Sequence, residues 1–235
     1  TRVVNKIECQ WSGDQALDIT DQLVFFYLCR QAAIAKKCFY IDTQHDQRDM
    51  VAAALKIDRL LAHQDALVVV KVTGADIAKG IGLSRTGTNS KAMLASLERL
   101  VHTTMHRNVV SPDGQALSAQ STLIGCIGRD GYVSVVLNPE ASKAATDRTH
   151  VAWVNMAEQH SLKSKPAMRL NAWLSAWASQ STFKTITIDK LMVNIWGVEP
   201  ATASSKKDRL RTLKVAVAEV AALPGWVCQF EPGAD

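Results

Sequence analysis

The chain has 235 residues with a hydrophobic content of 47% and a charged content of 21%, a balance typical of folded globular proteins and unlike that of disordered chains. Its longest apolar runs, at 23–29 and 66–70, are much shorter than the ~20 residues of a membrane-spanning helix, so no membrane span is predicted. The net charge of +5 is concentrated in residues 204–214, where five Lys and Arg accompany one acid. Such a basic block is compatible with a polyanionic partner.

The first half of the chain is predicted to begin with alternating strands and helices. Apolar residues recur at helical spacing in two segments, and two short apolar runs have the composition of strands. In chain order these elements are a strand at 6–11, a helix at 22–35, a helix at 50–61 and a buried strand at 66–72.

A helix-turn-helix signature follows in residues 73–85, whose sequence is TGADIAKGIGLSR. The small Ala78 permits two helices to approach, Gly82 suits a turn position with positive φ, and Ser84 can cap the helix predicted at 87–101. The outward face of that second helix carries small and hydrogen-bonding side chains. Such a face suits entry into the major groove of DNA.

Strands are predicted next at 105–110, 121–128 and 132–137, so that helices are followed by a β-hairpin, which is the order of a winged-helix domain. The second half repeats this order. It has predicted strands at 151–156, 185–188 and 226–230 and a helix at 166–178. A helix at 190–196 is ended by Gly197, and a long helix for which Ser204 or Ser205 can be the N-cap ends before Pro224. The predicted fold class is therefore α+β, with two tandem winged-helix domains at 1–139 and 140–235.

The long helix has two stripes of different chemistry. Apolar residues recur at spacings of 3, 4 and 3 from Leu210 to Val220 and predict a buried face. Lys207, Arg211 and Lys214 form a second stripe about 100° around the helix axis. A helix with a core stripe beside a cationic stripe, preceded by a helix and a turn, is built like a recognition helix, in which Arg reads guanine and Lys mainly contacts phosphate.

Several other kinds of chemistry are not encoded. The five cysteines form no Cys-x-x-Cys pair and indicate reduced thiols in a cytoplasmic protein. His102 and His106 have the spacing of a zinc pair but lack the accompanying Glu, and the glycines at 80–87 lack the Lys of a phosphate-binding loop. We therefore predict no metal, no cofactor, no catalytic residue and no enzyme activity, and we expect the six tryptophans to pack in the core rather than stack on bases.

Taken in order, several segments of this chain resemble the plasmid replication initiators of the RepC type, the iteron-binding proteins of IncQ plasmids, and more distantly the TrfA and RepE-type initiators. The resemblance covers nearly the whole chain, is strongest from about residue 135 onward and is weak between 30 and 65. It is carried by Trp11-Ser12-Gly13, Val136-Leu137-Asn138-Pro139, Ile188-Asp189-Lys190-Leu191 with Trp196, the basic run at 204–211 and Leu223-Pro224-Gly225-Trp226-Val227.

The resemblance implies a protein that binds direct repeats at a plasmid origin as double-stranded DNA, promotes local opening of the duplex and recruits helicase and primase. It leaves open whether homodimers form. Together with the helix-turn-helix patterns it indicates DNA contacts in the second domain from Ser204, Ser205, Lys206, Lys207, Arg209, Arg211 and Lys214. In the first domain it indicates contacts from Ser84, Arg85, Thr86, Thr88, Asn89 and Lys91.

Two other functions remain compatible with the residues. A transcriptional repressor could have the same architecture, since a fold does not determine a function. An interaction module could dock helicase or primase through the region 23–35. Origin opening separates the initiator from the repressor, and loss of DNA binding after substitution of Lys207 and Arg211 separates both from the docking module.

Overall fold

The computed structural model describes residues 7–13, 17–34, 38–41, 48–57, 67–110, 116–129, 132–147, 153–178 and 182–231. The chain divides into two compact units, Thr1–His150 and Val151–Asp235. This division lies later than the one predicted between residues 139 and 140, because the helix Pro139–Asp147 packs on the first unit. The Ser142 hydroxyl donates to the carbonyl oxygen of Leu137 at 3.0 Å and accepts from the backbone N–H of Val68 at 3.1 Å.

The first unit mixes helices with antiparallel strands, and the α+β class is confirmed. Its elements are β1 (Ile7–Gly13), α1 (Ile19–Ile34), β2 (Cys38–Ile41), α2 (Arg48–Leu55), β3 (Leu67–Val72), α3 (Gly74–Gly80), α4 (Gly87–Val101), β4 (Thr103–Val110), β5 (Ala116–Thr122), β6 (Ile124–Arg129), β7 (Tyr132–Leu137) and α5 (Pro139–Asp147).

Neither β2 nor α5 was predicted from the sequence, and two of the predicted elements differ clearly in extent. The helix predicted at 50–61 ends at Leu55, because Lys56 takes the left-handed conformation with φ of 53° and the regular hydrogen bonding stops there. The strand predicted at 121–128 is two strands interrupted at Leu123, whose backbone N–H donates to Thr103 at 2.8 Å. The chain changes sheets at this residue.

The strands form two antiparallel sheets with the orders β1–β4–β5 and β2–β3–β7–β6. Strand β3 is buried on both faces. Leu67 and Val69 pack with α2, whereas Val68 and Val70 point to the other face and are fully buried. Since α1 and α5 also contact β3, residues 67–70 are buried on both faces, which explains their unbroken apolar sequence, whereas Lys71 is exposed.

Helix α1 is buried along much of its length. Leu23, Val24 and Leu28 are at most 8% exposed, and the helix contacts α3, α4 and α5. The apolar side chains of Leu23, Val24 and Leu28 therefore pack within the unit, and docking of helicase or primase through this region stays a prediction. None of the helices within the described ranges is long and apolar enough to cross a bilayer.

The second unit is helical in its described part. It contains α6 (Met156–Ser161), α7 (Lys165–Trp177), α8 (Ile188–Trp196) and α9 (Ala203–Ala221). Its core is formed by side chains of α7, α8 and α9, of which Leu170, Met192 and Leu213 are at most 1% exposed. These helices confirm the three predicted in this half.

The strands predicted in the second half are wrong in the described residues. Residues 153–155, 182–187 and 226–231 belong to no strand, and Met156 begins α6. Their apolar and β-branched residues favour extended backbone, but a strand also needs a neighbouring segment for its ladder of hydrogen bonds, and the described residues of this unit pair with none of them. Trp226 instead packs on the helical core and donates its indole N–H to Glu158 at 2.9 Å.

Candidate nucleic-acid interface

The first helix-turn-helix is formed by α3 and α4 with the turn 81–86 between them. Gly82 has φ of 86°, a conformation that costs residues with a Cβ free energy and that glycine adopts readily. The backbone N–H of Leu83 donates to the carbonyl oxygen of Ala78 at 2.8 Å and closes the end of α3. Thr86, rather than the predicted Ser84, caps α4 by accepting from the backbone N–H of Asn89 at 3.2 Å.

Close approach of helices positions this motif. A Cβ on Gly74 would lie 2.5 Å from the hydroxyl of Ser90 in α4, and a Cβ on Gly80 would lie 2.0 Å from a ring carbon of Tyr27 in α1. Both glycines therefore allow α3 to contact its neighbours directly. The sequence analysis identified Ala78 for this purpose but missed these two positions, since nothing in the local pattern shows which side of a helix meets another.

Replacing Gly80 by alanine is expected to destabilise the first unit by about 1–3 kcal/mol, because the buried Tyr27 ring must move to accommodate the added methyl group. Gly87→Ala is the matched control. It adds the same methyl group to the first turn of α4, where nothing lies within 4 Å, and should be neutral or stabilising. Hydrogen exchange of first-unit peptides in the full chain measures both effects, and equal protection in the two variants would contradict the packing described.

The exposed face of α4 carries Thr88 and Lys91 in its first turns. The other residues predicted to contact DNA in this unit are exposed or half-buried but take part in holding the motif. Arg85 pairs with Asp76 of α3 at 3.2 Å. The Asn89 side-chain amide donates to the carbonyl oxygen of Ser84 at 2.9 Å and to its hydroxyl at 3.1 Å.

The second helix-turn-helix is formed by α8 and α9 with the turn 197–202. Gly197 ends α8 with φ of 77°, as predicted. The hydroxyl of Thr202 caps α9 by accepting from the backbone N–H of Ser205 at 3.1 Å, so Ser204 and Ser205 lie inside the helix and are not its caps. Leu213 and Val220 are fully buried and anchor α9 to the core, as the apolar stripe predicts.

The cationic residues of α9 fall into two groups. Lys207, Arg211 and Lys214 are exposed, and the Arg211 side chain keeps 83% of its accessible surface while lying 3.7 Å from Asp208. This arrangement leaves three cations of one helix face directed to solvent. Such a face can contact the phosphates and base edges of a duplex.

Lys206 and Arg209 form the second group, since they bind residues of the same motif. The Lys206 ammonium lies 2.8 Å from Asp189 of α8. The Arg209 guanidinium donates to the carbonyl oxygen of Val198 at 2.6 Å and lies 5.5 Å from the centre of the Trp196 ring, within cation–π distance. Asp189 lies 17 residues before Lys206 and Val198 lies 11 residues before Arg209, so helical spacing in the sequence does not reveal these contacts.

Glu219, near the end of α9, fixes the start of α7. Its carboxylate accepts from the backbone N–H groups of Lys163 at 2.8 Å and Ser164 at 3.1 Å. Partial burial alone would raise the pKa of Glu219, but these hydrogen bonds outweigh burial and hold its pKa below the ordinary value of 4.5. The recognition helix is thereby tied to the helix on which it packs.

Glu219→Gln should destabilise the second unit at neutral pH, because charge-assisted hydrogen bonds become neutral ones. A carboxyl with a lowered folded-state pKa contributes stability that is complete above its unfolded pKa and is lost as the pH falls through the folded one. The difference in melting temperature between wild type and variant should therefore be largest at pH 7 and shrink below pH 4.5. Tryptophan fluorescence reports mainly this unit, which holds five of the six tryptophans.

The exposed Glu199→Gln, in the turn between α8 and α9, provides the control for that pH profile. It should leave the wild-type profile unchanged. A Glu219 effect that persists undiminished at acid pH would show that the carboxylate is not the source of the stability.

Other reactive groups offer no competing site. The described residues contain no cluster of His, Cys, Asp and Glu able to hold a metal ion. Burial raises the pKa of the Cys29 and Cys126 thiols to about 12, so both are protonated at neutral pH and weak nucleophiles. Three tryptophans pack against the core of the second unit, as predicted: Trp173, Trp196 and Trp226. Trp177 stacks on Trp173. Trp153 is 65% exposed, contrary to the prediction, and the side chain of Trp11 lies outside the described residues.

Comparison with known proteins identifies a family and a structural relative. Residues 42–233, most of the chain, match the sequence profile of the family described as Replication protein C (RepC). The crystal structure of selenomethionine derivatives of domain 2 and domain 3 of RctB is similar, with a TM-score of 0.55 over 94% of this chain and 79% of that one. The sequence identity is 10%, so this similarity concerns the fold alone. No curated protein sequence matches significantly.

Proposed function

The chain belongs to the Replication protein C (RepC) family of replication initiators, and on that premise we propose that it binds direct repeats at a plasmid origin as double-stranded DNA. Helices α4 and α9 are the recognition helices, one in each unit. The observation that carries the proposal is the exposed face of α9, where Lys207, Arg211 and Lys214 lie beside the stripe that contains the fully buried Leu213 and Val220. A cationic helix held rigidly by its opposite face can enter a major groove without losing its own packing.

In this proposal each unit contacts DNA through its helix-turn-helix, and only the first unit has paired strands in its described residues. In the first unit, the paired strands β4 and β5 follow α4 directly and would serve as the wing. In the second unit the described residues are helical, and the proposal rests there on α8, the turn and α9. Four further residues contact other parts of their own motif: Arg85, Asn89, Lys206 and Arg209. These contacts support a role in positioning the exposed residues of α4 and α9.

The bound protein would open a neighbouring A·T-rich stretch and recruit helicase and primase, acting as a binding protein and not as an enzyme. Two different units in tandem should read a non-palindromic site. Adjacent major-groove entries lie about 10 bp apart, so each direct repeat should be roughly 20 bp long. A homodimer that separates before binding is compatible with the same arrangement.

Footprinting on the origin of the plasmid that carries this gene, at two salt concentrations, tests the proposal. Protection should recur in asymmetric direct repeats. Affinity should fall about 10²-fold between 50 and 200 mM salt if four phosphates are neutralised, because bound cations release counterions. A single short symmetric footprint, or affinity that hardly changes with salt, would contradict it.

The same experiment separates replication from transcriptional repression. An initiator should make bases near the repeats reactive to a probe of single-stranded DNA, such as permanganate, and should support replication of a plasmid that carries only this origin. Protection of the repeats without either effect would favour the repressor.

A further inference from the structure

The two recognition helices, α4 and α9, have the same pattern of buried and exposed positions along their lengths. When 120 is added to each residue number of α4, from Gly87 to Val101, the exposed, half-buried and buried positions coincide one by one with those of 207–221 in α9. The buried residues of α4 are Met93, Ser96, Leu97 and Leu100, and those of α9 are Leu213, Ala216, Val217 and Val220. None of the fifteen aligned positions carries the same amino acid in both helices, so the correspondence is invisible in the sequence.

At two aligned positions, the side chains of both helices also contact residues outside their own helix. At one aligned position, Asn89 and Arg209 each donate from the side chain to a backbone carbonyl of the preceding turn, at 2.9 Å to Ser84 and 2.6 Å to Val198. Two chemically different side chains at the same helix position thus bind a backbone carbonyl of the turn before their helix, although Ser84 lies 5 residues and Val198 lies 11 residues earlier in the chain. This agreement indicates a shared task, which is to set the conformation of the turn.

A second aligned position also repeats a contact. Arg99 binds Asp21 in the first turn of α1, at 2.7 Å, and Glu219 accepts from the backbone N–H groups that precede α7. In each unit, the residue at this position joins the recognition helix to the beginning of another helix. The two units are therefore related position by position, which allows their exposed faces to be compared directly.

Only one exposed position carries a cation in both helices. The aligned exposed pairs are Gly87 and Lys207, Thr88 and Asp208, Lys91 and Arg211, Ala92 and Thr212, Leu94 and Lys214, Ala95 and Val215, and Glu98 and Ala218. Among these, Lys91 and Arg211 alone share a charge. Lys and Arg are also the two side chains that hydrogen-bond the O6 and N7 atoms of guanine in the major groove.

We propose that Lys91 and Arg211 are equivalent base-reading residues, each contacting one guanine in its own half of the repeat, and that Asn89 and Arg209 are positioning residues that read no base. This inference rests on the proposed function. It assigns Lys207 and Lys214, whose partners in α4 are uncharged, to phosphate contacts made by the second unit alone. The asymmetry explains why the basic block occurs in only one half of the chain.

Selection from a pool of duplexes with a random centre of about 30 bp, followed by sequencing, tests the assignment on the full-length protein. Wild type should enrich sites with two defined guanines. Lys91→Ala should abolish the preference at one of them and Arg211→Ala at the other, each by about 5- to 150-fold against the other bases, while the remaining guanine stays selected.

The positioning residues should behave differently. Asn89→Ala and Arg209→Ala should lower affinity for all selected sites by one common factor and leave the base preferences unchanged. Arg209→Ala should also accelerate hydrogen exchange in the turn 197–202 without lowering the melting temperature, and Arg209→Lys should restore part of the affinity. A side chain needed merely for stability would change the melting temperature and would not be rescued in this way.

The outcomes distinguish this inference from the function on which it rests. If Lys91→Ala and Arg211→Ala weaken all sequences equally, or if Arg209→Ala changes a base preference, the assignment of roles is wrong while duplex binding stands. If the wild type enriches no sequence and binds duplexes no more tightly than the Lys91→Ala and Arg211→Ala variants do, the proposed function itself fails.

Discussion

Replacing Lys207 and Arg211 together by alanine is expected to lower the affinity for origin duplex DNA by about 10²-fold, since a bidentate arginine–guanine contact contributes about 1–3 kcal/mol and a phosphate contact is lost with it. Both side chains are exposed and lie outside the buried stripe of α9, so the fold should be unaffected. The slope of log affinity against log salt should decrease by about one unit for the lost phosphate contact. Fluorescence anisotropy at several salt concentrations measures both quantities.

A charge-matched pair of substitutions provides the control for this experiment. Arg30→Ala with Lys143→Ala also removes one Arg and one Lys from exposed positions, but these positions lie in α1 and α5, outside both helix-turn-helix motifs. The control should reduce affinity only through the change in net charge. If both pairs reduce affinity to the same extent, α9 is not the contact surface and DNA is bound by diffuse charge alone.

Replacing Arg99 by methionine is expected to destabilise the first unit by about 3–5 kcal/mol. Asp21 is fully buried, and its carboxylate accepts from the Arg99 guanidinium at 2.7 Å, from the Ser96 hydroxyl at 2.6 Å and from the backbone N–H of Asp18 at 2.8 Å. Its hydrogen bonds also raise the pKa of Arg99, which stays charged. Without Arg99, the buried carboxylate of Asp21 loses the cation whose attraction offsets the free-energy cost of its desolvation.

The double variant Asp21→Asn with Arg99→Met tests whether this cost comes from the stranded charge. It removes both charges and should be more stable than Arg99→Met alone, because breaking one side of a buried pair costs more than replacing both sides. Hydrogen exchange of first-unit peptides in the full chain measures the effect, with second-unit peptides as an internal reference. An Arg99→Met protein as stable as the wild type would contradict the importance of this pair.

Arg99→Met is also expected to weaken DNA binding. Arg99 joins α4 to the first turn of α1, so its loss should loosen the recognition helix as well as the unit. DNA affinity of Arg99→Met should therefore decrease at temperatures where most of the chain is still folded. The double variant should recover affinity and stability together.

Local chemistry was enough to predict several helices of both units. The bounds predicted for α4 agree with the structure, and those of α7 and α8 differ from it by at most two residues. The turn glycines Gly82 and Gly197 were also predicted, since a positive φ is a property of one residue and its neighbours. These features depend on periodicity, capping and turns, which act over a few residues.

Pairing between distant segments was beyond such reasoning. The residues at 185–188 and 226–230 have the composition of strands, but a strand exists only where another chain segment completes its hydrogen bonds, and the described part of the second unit provides none. The later division between the units has a similar origin. Helix α5 belongs to the first unit because Ser142 bonds to β3 and β7, a contact that the apolar pattern of α5 does not encode.

By itself, then, the sequence determined the family, the two helix-turn-helix patterns and the cationic stripe of α9, because each depends on residue types at short spacing. Only the tertiary structure decided which cations are available to a ligand. Lys206 and Arg209 bind Asp189 and Val198, whereas Lys207 and Arg211 remain exposed, although all four belong to one basic run. The physical reason is that a side chain's availability depends on what the fold brings within about 3 Å of it, and that neighbour is set by packing across the chain.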